Sequence, residues 1–324
     1  MHKHNMRRLA MSAAFTFGLT LVSGLGADGA AAQTYRLMTG PQGGVWVPLG
    51  GTLKAMFEKT LSGVTVQTLP GAGIANVKGV EEGKADFGFG NSISTVDGVA
   101  GRAPFEKKTA NVCQIANLYP QYFQVVALAD AKIAKVEDMK GKAIAVQTKG
   151  NTAEAISADI LKAHGMSYAA MSKVNFMASY NDAAALLKDG HAQIFTLGTT
   201  IPAASIMDLA TARDITMVPV TDASVAEMKK INAGYVKGVI PANTYPKQTT
   251  DVPVIAYSAH FIASCKLPEA QVYALTKAMA GHIADMAAVN KAMAKVTVKD
   301  MAEDIGVPFH PGAAKYYKEV GALK

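Results

Sequence analysis

The sequence predicts an α/β protein of two lobes, with two mixed sheets joined by two hinge strands and a ligand cleft between the lobes. Three observations carry that reading. Short β-branched or apolar runs alternate with Gly-rich turns and segments of helical spacing, which argues for parallel strands with crossover helices. Two apolar extended stretches, residues 112–129 and 252–264, exceed an ordinary strand in length and look like a pair of crossings between lobes. The chain from residue 33 to 324 is also long for one compact core and suits two.

The first residues are expected to lie outside the fold. Arg7 and Arg8 supply a positive start, residues 9–26 form an uncharged apolar run, and Ala30, Ala31 and Ala32 offer small residues before Gln33. That order reads as a cleavable secretory signal peptide over residues 1–32, cut near Ala32/Gln33, and it places the mature protein in the periplasm. The arginine pair lacks the flanks of a twin-arginine signal, and no cysteine follows the run for lipid attachment.

The first series of units then begins. A strand over residues 35–38 runs into the glycines of residues 40–44, and residues 48–61 carry Leu49, Leu53, Met56, Phe57 and Leu61 on one helical side. A strand at 64–68 precedes residues 70–73 and a helix at 74–82. A strand at 86–90 precedes Asn91, Ser92 and a helix to about residue 99. The second series has a strand at 143–147, a turn at 148–152 and a helix at 153–164. A strand at 174–177 follows, then a helix capped by Asn181 through Lys188, and strands at 193–196 and 215–218. Residues 268–324 read as mostly helix, with Met and Ala at core spacing for packing rather than for a cofactor. The boundaries that follow are 33–123 for the first part of lobe 1, 124–250 for lobe 2, and 251–324 for the return to lobe 1.

Charge and composition exclude several classes. The whole chain has net charge +7, of which residues 1–32 hold +2 through Lys3, Arg7, Arg8 and Asp28, leaving a mild +5. No basic cluster with interleaved aromatics appears, so nucleic acid is not an expected partner. Beyond the signal the only arginines are Arg36, Arg102 and Arg213. His164, His191, His260, His282 and His310 are scattered without ligand spacing, so no metal and no cofactor are expected. Cys113 and Cys265 could form one disulfide in an oxidising compartment or remain buried thiols. If the crossing segments run antiparallel with Leu128 opposite about Val254, residues 113 and 265 come close.

Four loops share one design of strand end, small residues and helix start: residues 40–46, 70–76, 90–94 and 149–154. Each presents unpaired N–H groups at the positive end of a helix, which suits a carboxylate or phosphate oxygen. Asn91, Ser92, Asn151 and Thr152 can add side-chain hydrogen bonds, although the same residue types also serve as plain helix caps. Gly71, Ala72, Gly73, Ile74, Ala75 and Asn76 begin like a dinucleotide fingerprint, but Asn76 stands where its third glycine belongs. No phosphate-binding Gly-Lys-Ser/Thr loop, nucleophile elbow or catalytic set is present, so no enzymatic role is expected.

Several segments match something more specific. They are residues 43–50, 71–76, 82–86, 118–120, 138–142 and 187–190. The most specific are residues 240–246 around Pro241, Thr244, Tyr245 and Pro246, and then His310, Pro311, Gly312 and Ala313. In these the chain resembles the TAXI-type substrate-binding receptors of tripartite ATP-independent periplasmic (TRAP) transporters, over nearly all of residues 33–324. The resemblance implies a type II periplasmic-binding-protein fold that closes on its ligand and docks, as a monomer, on an ion-coupled permease. It implies small organic acids as ligands: dicarboxylates, 2-oxoacids such as 2-oxoglutarate, or acidic amino acids such as glutamate. A receptor for an ATP-driven importer, or a ligand-sensing periplasmic protein, is the alternative.

The expected ligand-lining set, from the loops and the resemblance together, is Gly43, Gly44, Trp46, Gly71, Ala72, Gly73, Asn91, Ser92, Tyr119, Gly150, Asn151, Thr152 and Thr199. Trp46 stands where the family carries a lining tyrosine; the alternative is a Trp that caps the core of the first lobe. Ile93 replaces an acid usual after the polar pair, and residues 150–153 replace a Gly-Ser-Gly-Thr loop, so the fold carries over better than the ligand. The His310 motif reads as structural.

Overall fold

The computed structural model describes residues 33–324 apart from residue 233; the segment read as a signal peptide lies outside the described residues. In chain order the elements are β1 (Gln33–Met38), α1 (Trp46–Thr60), β2 (Val64–Leu69), α2 (Gly73–Glu81), β3 (Phe87–Asn91) and α3 (Ser92–Ala100), then the long β4 (Val112–Leu128). The second series runs β5 (Ala143–Gln147), α4 (Thr152–Ala163), β6 (Lys173–Met177), α5 (Tyr180–Lys188), β7 (Ile194–Thr199), α6 (Ala204–Ala212), β8 (Ile215–Met217), α7 (Asp222–Ile231) and β9 (Val236–Ile240). The second long strand, β10 (Val252–Ser264), leads into α8 (Glu269–Gly281), α9 (Ile283–Val289), α10 (Val298–Met301) and α11 (Pro311–Glu319).

The strands follow the order β2-β1-β3-β10-β4-β7-β5-β6, with β8 on β4 and β9 on β10. The β1–β2, β1–β3, β5–β6 and β5–β7 pairs are parallel, while β10 runs antiparallel to β3, β4 and β9. This is the two-lobed α/β periplasmic-binding-protein fold. Because β4 and β10 pair with each other along most of their length, the two expected sheets are hydrogen-bonded into one path.

Each half has its own apolar interior. Around β1, β3 and α1, the rings of Phe57, Phe87, Phe89 and Phe261 pack on one another with Leu49, Leu53 and Ile115. Met279, Met286, Met293 and Met301 from the C-terminal helices are fully buried in the same cluster, which is the packing role their spacing predicts. Around β5 and β7, a second set unites Ile144, Val146, Ile156, Ile160 and Ile194 on one side of the sheet, and a third unites Leu187, Phe195, Leu197 and Leu209 on the other.

Details of register and capping differ from expectation. Ile255 lies opposite Phe123 and Ser264 opposite Val112, with irregularities after Ala259 and Phe261, so the crossing is slipped from a Leu128–Val254 pairing. The slip still brings the cysteines together, and Cys113 and Cys265 form a disulfide at the outer end of the paired strands. Helix α5 is capped by Ser179, whose hydroxyl accepts from the N–H groups of Asn181 and Asp182, and not by Asn181. Helices α6 and α7 and strand β9 have no counterpart in the sequence reading.

The His310 motif has the structural role expected. Its Nδ1 accepts from Gly312 N–H at 3.1 Å and caps α11, and its Nε2 reaches the Leu267 carbonyl at 3.1 Å. A Cβ on Gly312 would overlap the Glu269 carbonyl, so the glycine lets α11 lie directly against the start of α8. The Tyr245 hydroxyl of the other specific motif accepts from Ala203 N–H at 2.8 Å and donates to Gln124, pinning its loop to β4.

His260, in the middle of β10, is fully buried; its Nε2 is 2.7 Å from Thr95 Oγ1, and burial pushes its pKa down to about 3. A free histidine titrates near 6.5, so below that pH the unfolded chain takes up a proton that the folded chain refuses. Stability is therefore complete above about pH 6.5 and falls as pH drops toward 3, by up to about 1.4 kcal/mol per pH unit from this residue. Urea unfolding at pH 7 and pH 5 should show a smaller acid loss for His260→Gln than for the native chain.

Candidate functional site

The loops singled out in the sequence meet where the two series of units face each other. Helices α1, α2 and α3 of the first series and α4 and α5 of the second direct their N-termini to a shared cavity of about 20 Å³. Its walls include Gly44, Trp46, Gly73, Asn91, Asn151 and Thr199 from the expected set. They also include Gln121, Ala153, Tyr180, Gly198 and Tyr257, which the sequence reading missed. Gln121 and Tyr257 come from the crossing strands themselves, where an apolar run conceals which face turns inward. Tyr180 comes from a helix start assigned two residues late, since the cap is Ser179 and not Asn181.

No Asp, Glu, Lys, Arg or His stands among these lining residues. What the walls offer is dipoles. Helices α1, α2 and α3 have no side-chain cap, so their first N–H groups have no side-chain acceptor at the positive end of the helix. On α4 the Asn151 carbonyl oxygen accepts from Ala153 N–H at 2.9 Å, which makes this residue a cap as well as a wall.

Trp46 belongs to the first core and lines the cavity as well. One face of its indole stacks on Phe89 at 5.3 Å and 17° within the first core, and the ring also forms cavity wall. Tyr119 does not reach the cavity. It is buried behind Trp46, where burial pushes its hydroxyl pKa up. Its hydroxyl and Trp46 Nε1 are near each other without reaching hydrogen-bond geometry, and Asn91 Oδ1 is likewise buried without a partner. Buried polar groups left in this way cost on the order of 1–3 kcal/mol each unless something binds them.

The remaining expected residues hold the walls rather than line them. Ala72 N–H donates to Asn76 Oδ1 at 3.0 Å, and Asn76 Nδ2 donates to the Thr39 and Phe89 carbonyls at 2.8 Å, fixing the loop of Gly71 and Ala72. Ser92 Oγ accepts from Ser258 N–H at 3.1 Å and ties α3 to β10. Gly43 has φ +82° and no room for a Cβ beside Asn181. Thr152 and Gly150 bridge the two series: Thr152 Oγ1 donates to Ser94 Oγ at 3.0 Å, and Ala75 N–H donates to the Gly150 carbonyl at 3.0 Å. Asn232 Nδ2 to Asp97 at 2.7 Å is a third bridge. Gly73 lies inside this closure, where a Cβ would overlap Thr152 Oγ1 and Asn91 Nδ2.

Residues 37–321 match the NMT1-like family. The chain belongs to the NMT1-like family. The TAXI receptors that its motifs resemble are not the family matched. Among solved structures it is similar to PhnD1 of Prochlorococcus marinus in complex with methylphosphonate, at 12% identity and TM-score 0.53, over 90% of this chain and 100% of that one. The alkanesulfonate-binding protein SsuA of Xanthomonas axonopodis pv. citri, bound to MOPS, matches at 18% identity and TM-score 0.46, over 91% of this chain and 86% of that one. A protein of Bordetella bronchiseptica matches at 18% identity and TM-score 0.50, over 90% and 89%. At such identities the likeness is one of fold, and this NMT1-like chain shares the two-lobed architecture.

Proposed function

We propose that this NMT1-like chain is a periplasmic solute-binding protein that captures a small organic solute through its oxyanion group and hands it to an ATP-driven importer. The observation that carries the reading is the convergence of uncapped helix N-termini on a cavity without a charged side chain; its size fits about one water, so a solute enters only as the two series part. In that setting an anion is favoured by aligned N–H dipoles. Asn91 Oδ1, a cavity residue's buried and unpartnered acceptor, suits a hydroxyl or amine of the solute. Carboxylates, among them dicarboxylates, 2-oxoacids and acidic amino acids, share this oxyanion chemistry with the methylphosphonate that the similar PhnD1 holds. Family membership supports an importer of this kind. The motifs at residues 240–246 and 310–313 favour delivery to an ion-coupled tripartite permease instead. Whether the adjoining genes encode an ATPase or an ion-coupled permease separates the two.

A thermal-shift screen with carboxylates, phosphonates, sulfonates, neutral sugars and amines tests the ligand class. A ligand at a hundred times its dissociation constant adds about 2.7 kcal/mol. Hits confined to sugars or amines would overturn the proposal.

The arginines provide a second check. Arg102 follows the end of α3, pairs with Asp97 at 2.7 Å and is half exposed, away from the cavity. Arg102→Ala should therefore change affinity for an oxyanion hit by less than about threefold, under roughly 1 kcal/mol. A hundredfold loss would place the anion on the guanidinium.

A further inference from the structure

Beside the cavity, and sharing Gly44, Val45 and Thr199 with it, lies a groove of about 480 Å³ between the start of α6 and the residues that follow α9. We infer that this groove is a second oxyanion site, for sulfate or phosphate, built from the α6 N-terminus, the Asn290 side-chain amide and Lys291.

Four observations support it. Helix α6 begins after Ala203, which has no side chain able to cap it. The Ala203 N–H is already taken by the Tyr245 hydroxyl, but those of Ala204 and Ser205 have no acceptor among the described residues. They open a helix of nine residues, whose dipole makes that end positive. Across the groove, Asn290 is 4% exposed; its Oδ1 accepts from Ala292 N–H, while its Nδ2 is buried without a partner. Lys291 lies beside it, exposed, and forms no ion pair among the described residues. Lastly, Thr199 and Thr200 line the groove, and no carboxylate lines it to oppose an anion.

The arrangement differs from the inner cavity in one respect: it carries a full positive charge at its rim. The two spaces share wall residues, but the site does not depend on the solute-binding reading above.

Titration of the 15N-labelled protein with sodium sulfate, at ionic strength held constant with sodium chloride, tests it by two-dimensional NMR. The Ala204 and Ser205 amides and the Asn290 side-chain amide should shift saturably. Lys291→Gln should weaken that response by roughly 3–10-fold, and Lys295→Gln, at the other end of the same short helical segment and outside the groove, should not. Absence of shifts at these three groups overturns the inference, as does equal weakening by Lys295→Gln, which would indicate diffuse charge. Gly73, Asn91 and Ala153 report the inner cavity separately. Shifts there alone would overturn the groove site and leave the proposed function standing.

Discussion

Replacing both Cys113 and Cys265 by serine should lower stability by about 2–5 kcal/mol, the largest single effect expected in this molecule. The disulfide joins residues 152 apart in sequence. In the chain-entropy picture a closed loop of that length restrains the unfolded chain by close to 5 kcal/mol, with native packing able to reduce the net effect. Between the two cysteines lie β4, the whole second series of units, and β10. The bond therefore shortens the excursion that the chain makes out of the first half and back. Both residues sit at the far end of the paired strands from the cavity. The serine variant should consequently unfold at lower urea concentration yet bind an oxyanion with affinity close to native when folded. Urea midpoints of the native and serine proteins, measured without reductant, give the comparison. A shift of less than about 1 kcal/mol would mean that the long loop is already restrained by packing in the unfolded chain.

Gly73→Val should abolish tight binding, by a factor of about a hundred or more, while leaving the melting temperature nearly unchanged. The first turn of α2 approaches α4 so closely that even one methyl group would overlap Thr152 Oγ1 and Asn91 Nδ2. Those two side chains belong to opposite sides of the closure, and Thr152 also donates to Ser94 across it. A larger residue at 73 would hold the two sides apart and remove the N–H groups of α2 from the ligand. The fold should tolerate the change, because the overlap is with Thr152 across the junction and with Asn91 beside it, and neither side chain belongs to an apolar core. Calorimetric titration with an oxyanion found in the screen checks the loss. Native affinity in Gly73→Val would show that the solute binds without this closure.

Much of this was legible in the sequence because it depends on local pattern. The alternation of apolar runs, glycines and helical spacing located β1 to β3 and β5 with their helices to within a residue or two. The two over-long apolar segments became β4 and β10. What could not be read depends on tertiary placement. The register of β4 against β10 is set partly by two irregularities that no residue type announces. Strand β9 reads as a mere continuation of a loop, because Val236 and Val239 face solvent at an edge. Of the polar loop residues, Asn151 lines the cavity and caps its helix, Ser92 turns to β10, and Thr152 bridges the closure. All three have short polar side chains in a helix-start context, so only the neighbouring chain decides which task each performs. Gln121 and Tyr257 were hidden for the related reason that both faces of a central strand are buried.

The central claim is that an oxyanion sits between the two series of helix N-termini, against the indole of Trp46. Emission of Trp46, the single tryptophan of the chain, measured during titration with an oxyanion that stabilises the protein, tests this most directly. The account predicts a saturable change in intensity or wavelength whose midpoint equals the calorimetric dissociation constant, and which disappears in Gly73→Val. A ligand that stabilises the protein and leaves Trp46 emission untouched through saturation would contradict it and place the solute elsewhere.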